Sequence, residues 1–308
     1  MFDYNGFQWL FFFYFYCFGG WCFESAVVSV RSRKWVNRGF MRGPFLPLYG
    51  SGAIMMLVVS MPFQDNLLLT YIAGVIGATA LEYVTGVVME ALFKVRYWDY
   101  SEQALNFQGR ICLRSSLAWG LLTILMTRVI HYPVEQFVFS LPARAMNYLT
   151  VLLTIYIVAD FTLSFKAALD LRDIMIRIMG LREELERMQK RLDVIIAFNN
   201  DEKEQKRLDR GERREVRLKD LTSSLEQGFA TLKELLLSRP SAYGESVREE
   251  IAELRGRFNL YREREHGERK LLDFYKRDMI RNNPSMKSEA YGSAFEELKK
   301  IANGEDDL

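Results

Sequence analysis

Long apolar runs divide this chain into two halves. Nearly all of them lie before Lys166, whereas the residues from Leu169 to Leu308 are dominated by Arg, Lys and Glu. A helix needs about 20 mostly apolar residues to cross the hydrocarbon core of a membrane. Five segments approach this length, namely Phe7–Val30, Phe45–Met61, Leu67–Phe93, Ile111–Ile130 and Met146–Phe165. The pattern predicts an all-α fold: a polytopic membrane helix bundle of about five spans, with a charged helical region in water.

The second segment has the weakest pattern for a membrane span. Gly43, Pro44, Pro47 and Gly50 interrupt its entry, and Gly and Pro are the strongest breakers of regular structure. Irregular backbone is tolerated at membrane depth only where protein buries it. Phe45–Met61 is therefore expected either to span the membrane or to enter it as a broken or re-entrant segment.

Basic residues lie in alternate loops. Lys and Arg follow the first, third and fifth spans, whereas Gln64–Asn66 and Tyr132–Ala143 contain neither. Short basic loops stay on the cytoplasmic side, so we expect an outer N-terminus and a cytoplasmic C-terminal half, in the cell membrane. Met1–Gln8 also lacks Lys and Arg, which favours a mature first helix over a signal peptide.

Four carboxylates lie within these apolar segments: Glu24, Glu82, Glu90 and Asp160. Ionisable groups in a bilayer are costly and usually face a polar interior. The spacing of Glu82 and Glu90 puts both on one helical face. One hypothesis is a polar pathway or site for a cation, a proton or a cationic substrate, favoured for Glu24 and Glu82.

The alternative for these carboxylates is structural pairing with nearby arginines, which we favour for Glu90 and Asp160. The candidate arginines are Arg42, Arg96, Arg110 and Arg114.

Two glycine-containing segments, Asn37–Gly52 and Asn106–Ser116, precede the second and fourth spans. Two ordinary turns would explain them, and so would a parallel repeat of two helical hairpins. A repeat would bring both loops beside Glu24 and Glu82. The side chains expected to offer donors to an anionic group there are Arg42, Asn106, Arg110 and Arg114.

Beyond the fifth span, apolar residues recur in alternating steps of three and four. They are Leu171, Ile174, Ile178, Leu181, Leu185, Met188, Leu192 and Ile195. This is the seam of a coiled coil. It predicts a cytoplasmic coil that continues the last span and forms a homo-oligomer, with packing inside one chain as the alternative.

The seam breaks over the charged stretch Asn199–Glu215, and Arg239–Gly244 is expected to form a turn between two further helical stripes. We therefore expect four regions. They are a membrane domain (1–165), a coiled coil (166–200), a charged helical hairpin (201–283) and a flexible tail (284–308) with one short amphipathic helix.

Composition excludes several classes of site. The net charge is only +2, Glu and Asp are interspersed with the basic residues, and no nucleic-acid partner is expected. Three cysteines and two histidines have no spacing suited to a metal site or a disulfide framework. No cofactor, metal or catalytic residue is predicted, and membrane lipid is the expected surrounding.

Several short motifs carry a family resemblance. They are Gly20–Ser25, Asn37–Phe40, Gly43–Gly50, Leu81–Tyr83 and Tyr97–Tyr100. The first half of the chain thereby resembles bacterial membrane proteins of the putative ABC-transporter permease family, type IV. The resemblance implies a transport-related inner-membrane protein. The sequence contains no phosphate-binding loop, so ATP hydrolysis would need a separate ATPase or other cytoplasmic subunit.

Two further classes compete with the transport hypothesis. A membrane-anchored scaffold or sensor would use the coil to recruit a cytoplasmic partner. A membrane enzyme would act on a lipid headgroup through Glu24, Glu82 and nearby arginines, and it ranks third because no catalytic motif is present.

Overall fold

The computed structural model describes residues 4–197, 218–238, 245–268 and 272–304. The helices of the first half are α1 (Gly6–Ser32), α2 (Pro47–Ser60), α3 (Leu67–Phe93), α4 (Leu113–Leu125), α5 (His131–Ser140) and α6 (Ala143–Ala197). A 3-10 turn, Met61–Phe63, follows α2, and a π-helical turn, Met126–Ile130, joins α4 to α5. Two antiparallel strands, β1 (Asn106–Phe107) and β2 (Ile111–Cys112), precede α4. The later helices are α7 (Leu218–Ser238), α8 (Glu245–Glu268), α9 (Phe274–Asn282) and α10 (Gly292–Asn303).

Within the described residues, four helices are long and apolar enough to cross a membrane. They are Gly6–Ser32, Leu67–Phe93, Leu113–Ser140 and Ala143–Ile196, so the predicted multi-span helical architecture is confirmed. The remaining predicted span, Phe45–Met61, is a shorter apolar helix, Pro47–Phe63. Pro47 starts this helix, where its missing N–H is tolerated. The fifth span stays a prediction.

The segment Tyr132–Ala143, expected to be a loop, is helical as far as Ser140, and its location on the outer side stays a prediction. Pro133 lies in the first turn of α5, directly after the π-helical turn. A π-helical turn changes the hydrogen-bond spacing, and it lets the helix continue through a proline that would otherwise break it.

Helices α1 and α3 have matching ends. Each has 27 residues, and each begins at an asparagine whose side chain caps the helix, Asn5 and Asn66. Each ends at a basic residue in the left-handed conformation, Arg33 with φ 53° and Lys94 with φ 58°. Two ordinary turns and a repeat of two hairpins both stay possible interpretations of these segments.

Glycines allow close contact within each hairpin. A Cβ atom on Gly50 of α2 would lie 2.3 Å from the Cys17 sulfur of α1. A Cβ atom on Gly74 of α3 would lie 2.2 Å from the Thr123 hydroxyl of α4. Small residues of this kind let membrane helices approach closely, so the two hairpins depend on them.

The chain forms two compact units. The first unit comprises Met1–Arg172 together with Phe274–Ala290, and the second comprises Asp173–Asp273 together with Tyr291–Leu308. Residues 274–290 therefore belong to the unit that contains helices α1 to α5, and the four predicted regions stay a prediction.

The heptad seam is buried within this single chain. Seven of its eight residues are buried and Leu181 is half-buried. In the second unit, Gln189 donates to Ser224 at 2.9 Å, and Phe229 of α7 packs on Phe258 of α8 with ring centroids 5.6 Å apart. The seam thus has partners inside the chain, and homo-oligomer formation through it stays a prediction.

Three calls fall on residues outside the described ranges: the break at Asn199–Glu215, the turn at Arg239–Gly244 and the acidic end of the tail. Around them, α7 and α8 occupy the two predicted stripes, and α10 buries Phe295 and Leu298.

Candidate functional site

Glu82 lies in the third quarter of α3 and is 6% exposed. Trp119 of α4 donates its indole N–H to the carboxylate at 2.9 Å. Tyr100, from the loop before β1, donates its hydroxyl at 3.1 Å. Ser115, in the first turn of α4, donates its hydroxyl at 3.4 Å to the same carboxylate oxygen as Trp119. One buried carboxylate therefore gathers three polar side chains from α4 and the preceding loop.

Neutral groups alone contact this carboxylate in the described part of the chain. The cationic side chains nearby pair elsewhere: Arg96 and Arg110 with Glu90, and Arg38 with Glu24. Burial of an unpaired carboxylate is expensive unless it is protonated or binds a cation. A proton or a bound cation would therefore lower the cost of burying Glu82.

Glu24 lies in α1, beside the first turns of α2. Tyr49 donates its hydroxyl to Glu24 at 2.6 Å, and Arg38 Nε lies 3.4 Å from the other carboxylate oxygen. A Cβ atom on Gly20 would lie 2.3 Å from Tyr49 Cβ. Because Gly20 has no side chain, Tyr49 can reach the carboxylate one turn further along α1.

Tyr100 interacts electrostatically with both carboxylates. Burial is the main cause that raises the pKa of its phenol, followed by the charge of Glu82, and Glu24 acts in the same direction. The charges of both carboxylates thus act on Tyr100, and we use the name two-carboxylate cluster for Glu24, Tyr49, Glu82, Tyr100 and Trp119.

Glu90 and Asp160 have structural partners. Glu90 accepts from Arg96 Nε at 2.9 Å and pairs with Arg110 Nη2 at 2.8 Å. Asp160 of α6 accepts the backbone N–H of Gly43 at 2.8 Å, which fixes the irregular loop before α2. Glu90 thus contacts two of the candidate arginines, whereas Asp160 contacts a backbone N–H in place of a candidate arginine.

The pairing with Glu90 affects Arg96, which follows α3. Burial alone would lower the pKa of the Arg96 guanidinium, but the hydrogen bond and charge of Glu90 outweigh it and raise the pKa.

The predicted donors make their contacts elsewhere. Arg42 lies 3.9 Å from Asp278 and stacks over the Phe274 and Tyr275 rings. Asn106 donates to two carbonyls of its own loop. Arg114 is exposed. In the described residues, neither these three nor Arg110 contacts Glu24 or Glu82 through a hydrogen bond or ion pair.

Arg38 occupies the position beside Glu24 that was expected for Arg42. Tyr49, Tyr100 and Trp119 were also not predicted as partners. Their signal in the sequence is weak, because aromatic residues near membrane interfaces are common for other reasons.

A later segment reaches the same region of the first unit. Arg38 donates to the Asn283 side chain at 3.0 Å and to Ser285 at 2.8 Å. Asn283 is 1% exposed and donates to the Gly39 carbonyl at 2.9 Å. Arg96 and Lys287 exchange backbone hydrogen bonds of 2.7 and 3.0 Å. The segment Phe274–Ala290, which we call the return segment, is thus bound to the loops after α1 and α3.

Comparison with known proteins gives one match. Residues 11–165 match the family model described as "Putative ABC-transporter type IV". No curated protein and no solved structure matches the chain. The matched range contains Glu24, Glu82 and all of their partners described above, and it ends before the return segment.

Proposed function

Because the chain belongs to the "Putative ABC-transporter type IV" family, we propose that it is a permease-like, transport-related subunit whose polar intramembrane site is the two-carboxylate cluster. The observation that carries this proposal is the environment of Glu82. A carboxylate that is 6% exposed accepts hydrogen bonds from Trp119 and Tyr100, within a helix long and apolar enough to span a membrane.

The substrate class follows from the charge of the cluster. Glu24 forms a salt bridge with Arg38, whereas neutral donors contact Glu82. Two ionised carboxylates and one guanidinium leave an excess of negative charge, which favours a cation or a cationic substrate over an anion. Tyr49 and Tyr100 hold the two carboxylates in place, and their hydroxyl oxygens can also accept from a bound cation.

The assembly that we propose follows from the loops and from the missing nucleotide site. Because short basic loops stay on the cytoplasmic side of the cell membrane, we expect the loops after α1 and α3 to lie there. The C-terminal half is then also expected in the cytoplasm. The sequence has no phosphate-binding loop, so an ATPase would be a separate subunit that docks there. Few spans in one protomer favour a homo-oligomer.

The test compares Glu82→Gln, Glu24→Gln and Glu102→Gln in a host whose own copy of the gene is deleted. Glutamine keeps the size of the side chain and removes the charge. Glu102 is an exposed residue of the loop before β1 and serves as the matched control. We expect the first two variants to be present in the membrane at the wild-type level and yet to fail to restore the wild-type phenotype of the host. Normal phenotypes for both would rule out the cluster as the site.

A native pull-down from membranes tests the assembly. Recovery of an ATPase subunit supports the permease-like role. Recovery of a different cytoplasmic protein, with both Gln variants active, would instead support the scaffold class.

A further inference from the structure

A second buried polar cluster lies along the same continuous helical segment as Trp119. His131 begins α5 and is 1% exposed. Tyr16 of α1 lies 2.7 Å from its Nδ1, and Tyr4 lies 2.9 Å from its Nε2. Tyr4 also donates its hydroxyl to Glu135, one turn further along α5. His131 follows Trp119 by 12 positions, which corresponds to about 18 Å along a helix.

The hydrogen bonds of this cluster fix a direction. A tyrosine hydroxyl has one hydrogen, and that of Tyr4 is donated to Glu135. Towards His131, Tyr4 therefore acts as the acceptor, and Nε2 carries the ring hydrogen. Nδ1 of the neutral ring is then the acceptor for Tyr16. With this tautomer, the donors run from Tyr16 through His131 and Tyr4 to the Glu135 carboxylate.

The hydrogen-bond network ends at the Glu135 carboxylate, and the His131 ring in the same network becomes positive when it binds a second proton. A second proton on His131 would make Nδ1 a donor, and the Tyr16 hydroxyl would then turn so that its oxygen accepts. Glu135 supplies the compensating charge. The change needs a rotation of one hydroxyl, without movement of a helix.

An apolar ring packs against His131. The ring of Phe12 has its centroid 5.0 Å from that of His131. Phe12 belongs to a hydrophobic core cluster that also contains Met56, Leu57, Val134 and Met146. Tyr4 and Tyr16 form hydrogen bonds with His131, and Glu135 is connected to the ring through Tyr4. Arg128 of the π-helical turn donates instead to the Gln64 carbonyl.

We propose that His131 and Glu135, with Tyr4 and Tyr16, form a proton-binding site separate from the two-carboxylate cluster. A histidine that serves only packing needs two hydrogen-bond partners, but it does not need a carboxylate at the end of the network. Ionisable residues in membrane helices usually have a functional role. The role rests on the proposed transport function, in which this site would supply proton coupling, but proton binding itself can be measured independently.

The experiment uses the full-length protein in detergent, labelled with nitrogen-15 at histidine. The chain has two histidines, so His266→Gln leaves only the ring signal of His131. We expect that signal to change reversibly between neutral and charged forms within the pH range in which the protein stays folded. A ring that stays in one form throughout that range would overturn the proposal.

Variants assign the role of the carboxylate. Glu135→Gln should weaken proton binding by His131 about tenfold or more, because it removes the opposite charge. Glu135→Asp keeps that charge and should titrate closer to the wild type. Titration that is unchanged in Glu135→Gln would also contradict the proposed site.

Glu82→Gln separates this inference from the proposed function. It should leave the His131 titration unchanged, even if the variant fails to restore the wild-type phenotype of the host. A normal phenotype for Glu82→Gln would count against the two-carboxylate cluster without altering the measured proton binding at His131.

Discussion

Arg38 and Asn283 lie 245 positions apart in the sequence and are joined by a hydrogen bond of 3.0 Å. The same guanidinium lies 3.4 Å from the Glu24 carboxylate. One arginine therefore contacts both the candidate site and the return segment. A change in the return segment is expected to alter the position of Arg38 and, through it, the charge next to Glu24.

Asn283→Ala should destabilise the first unit. It removes the acceptor for Arg38 Nη1 and the donor to the buried Gly39 carbonyl, while Arg38 keeps its contacts with Glu24 and Ser285. Such losses cost about 1–3 kcal/mol for each unsatisfied group. Thermal unfolding in detergent should therefore begin at a lower temperature. Asn303→Ala, at an exposed position of α10, is the control, and equal midpoints for the two variants would contradict the prediction.

Glu90→Gln should be more harmful than the loss of an exposed ion pair. The side chains of Glu90, Arg96 and Arg110 are 19%, 9% and 18% exposed. Removing one member of a buried pair costs about 3 kcal/mol or more. Glu183→Gln breaks an exposed pair with Arg187 and should cost less than about 1 kcal/mol. Thermal midpoints in detergent measure both, and similar losses would show that Glu90 is not held as described.

Gly50→Ala should disturb the packing of α1 against α2. The new Cβ would lie 2.3 Å from the Cys17 sulfur and 2.7 Å from the Phe13 carbonyl oxygen. Overpacking of this kind costs about 1–3 kcal/mol. Gly52→Ala, one half-turn further along, meets no atom within 4 Å and should fold at least as well as the wild type. The yield of monodisperse protein compares the two variants, and equal yields would contradict the close contact.

Acid should reduce the contribution of Asp99 to stability. Burial alone would raise the pKa of the Asp99 carboxyl, but hydrogen bonds from Ser101 and the Lys287 ammonium outweigh it and lower the pKa. A group with a lowered folded-state pKa stabilises the fold above its ordinary value of about 3.9, and this contribution is lost as pH falls through the folded-state value. The difference in thermal midpoint between the wild type and Asp99→Asn should therefore shrink in acid. A difference that stays constant with pH would be evidence against the pairing.

Much of the helical architecture was predictable, because length and apolarity decide membrane insertion. Leu67–Phe93 was predicted with the observed bounds. The extension of the fourth span to Ser140 was not predicted. Pro133 lies in this extension, and its accommodation depends on the π-helical turn before it. Sequence pattern gives no signal for such a turn.

The candidate site was predictable only at its carboxylates. A Glu in an apolar helix is conspicuous, and Glu24 and Glu82 were selected for that reason. Their partners depend on which residues of neighbouring helices and loops come together. Arg38 rather than Arg42 reaches Glu24, and the two lie in the same short loop. The return segment has no periodic pattern that links it to loops more than 180 positions earlier.

The return segment also affects how the chain can be made. The ribosome synthesises the four apolar helices that are long enough to cross a membrane before Asn283 exists to bind Arg38. The loops after α1 and α3 therefore lack this partner until the return segment has been synthesised. A gene shortened after the last apolar helix would encode a protein in which the loops after α1 and α3 never bind the return segment.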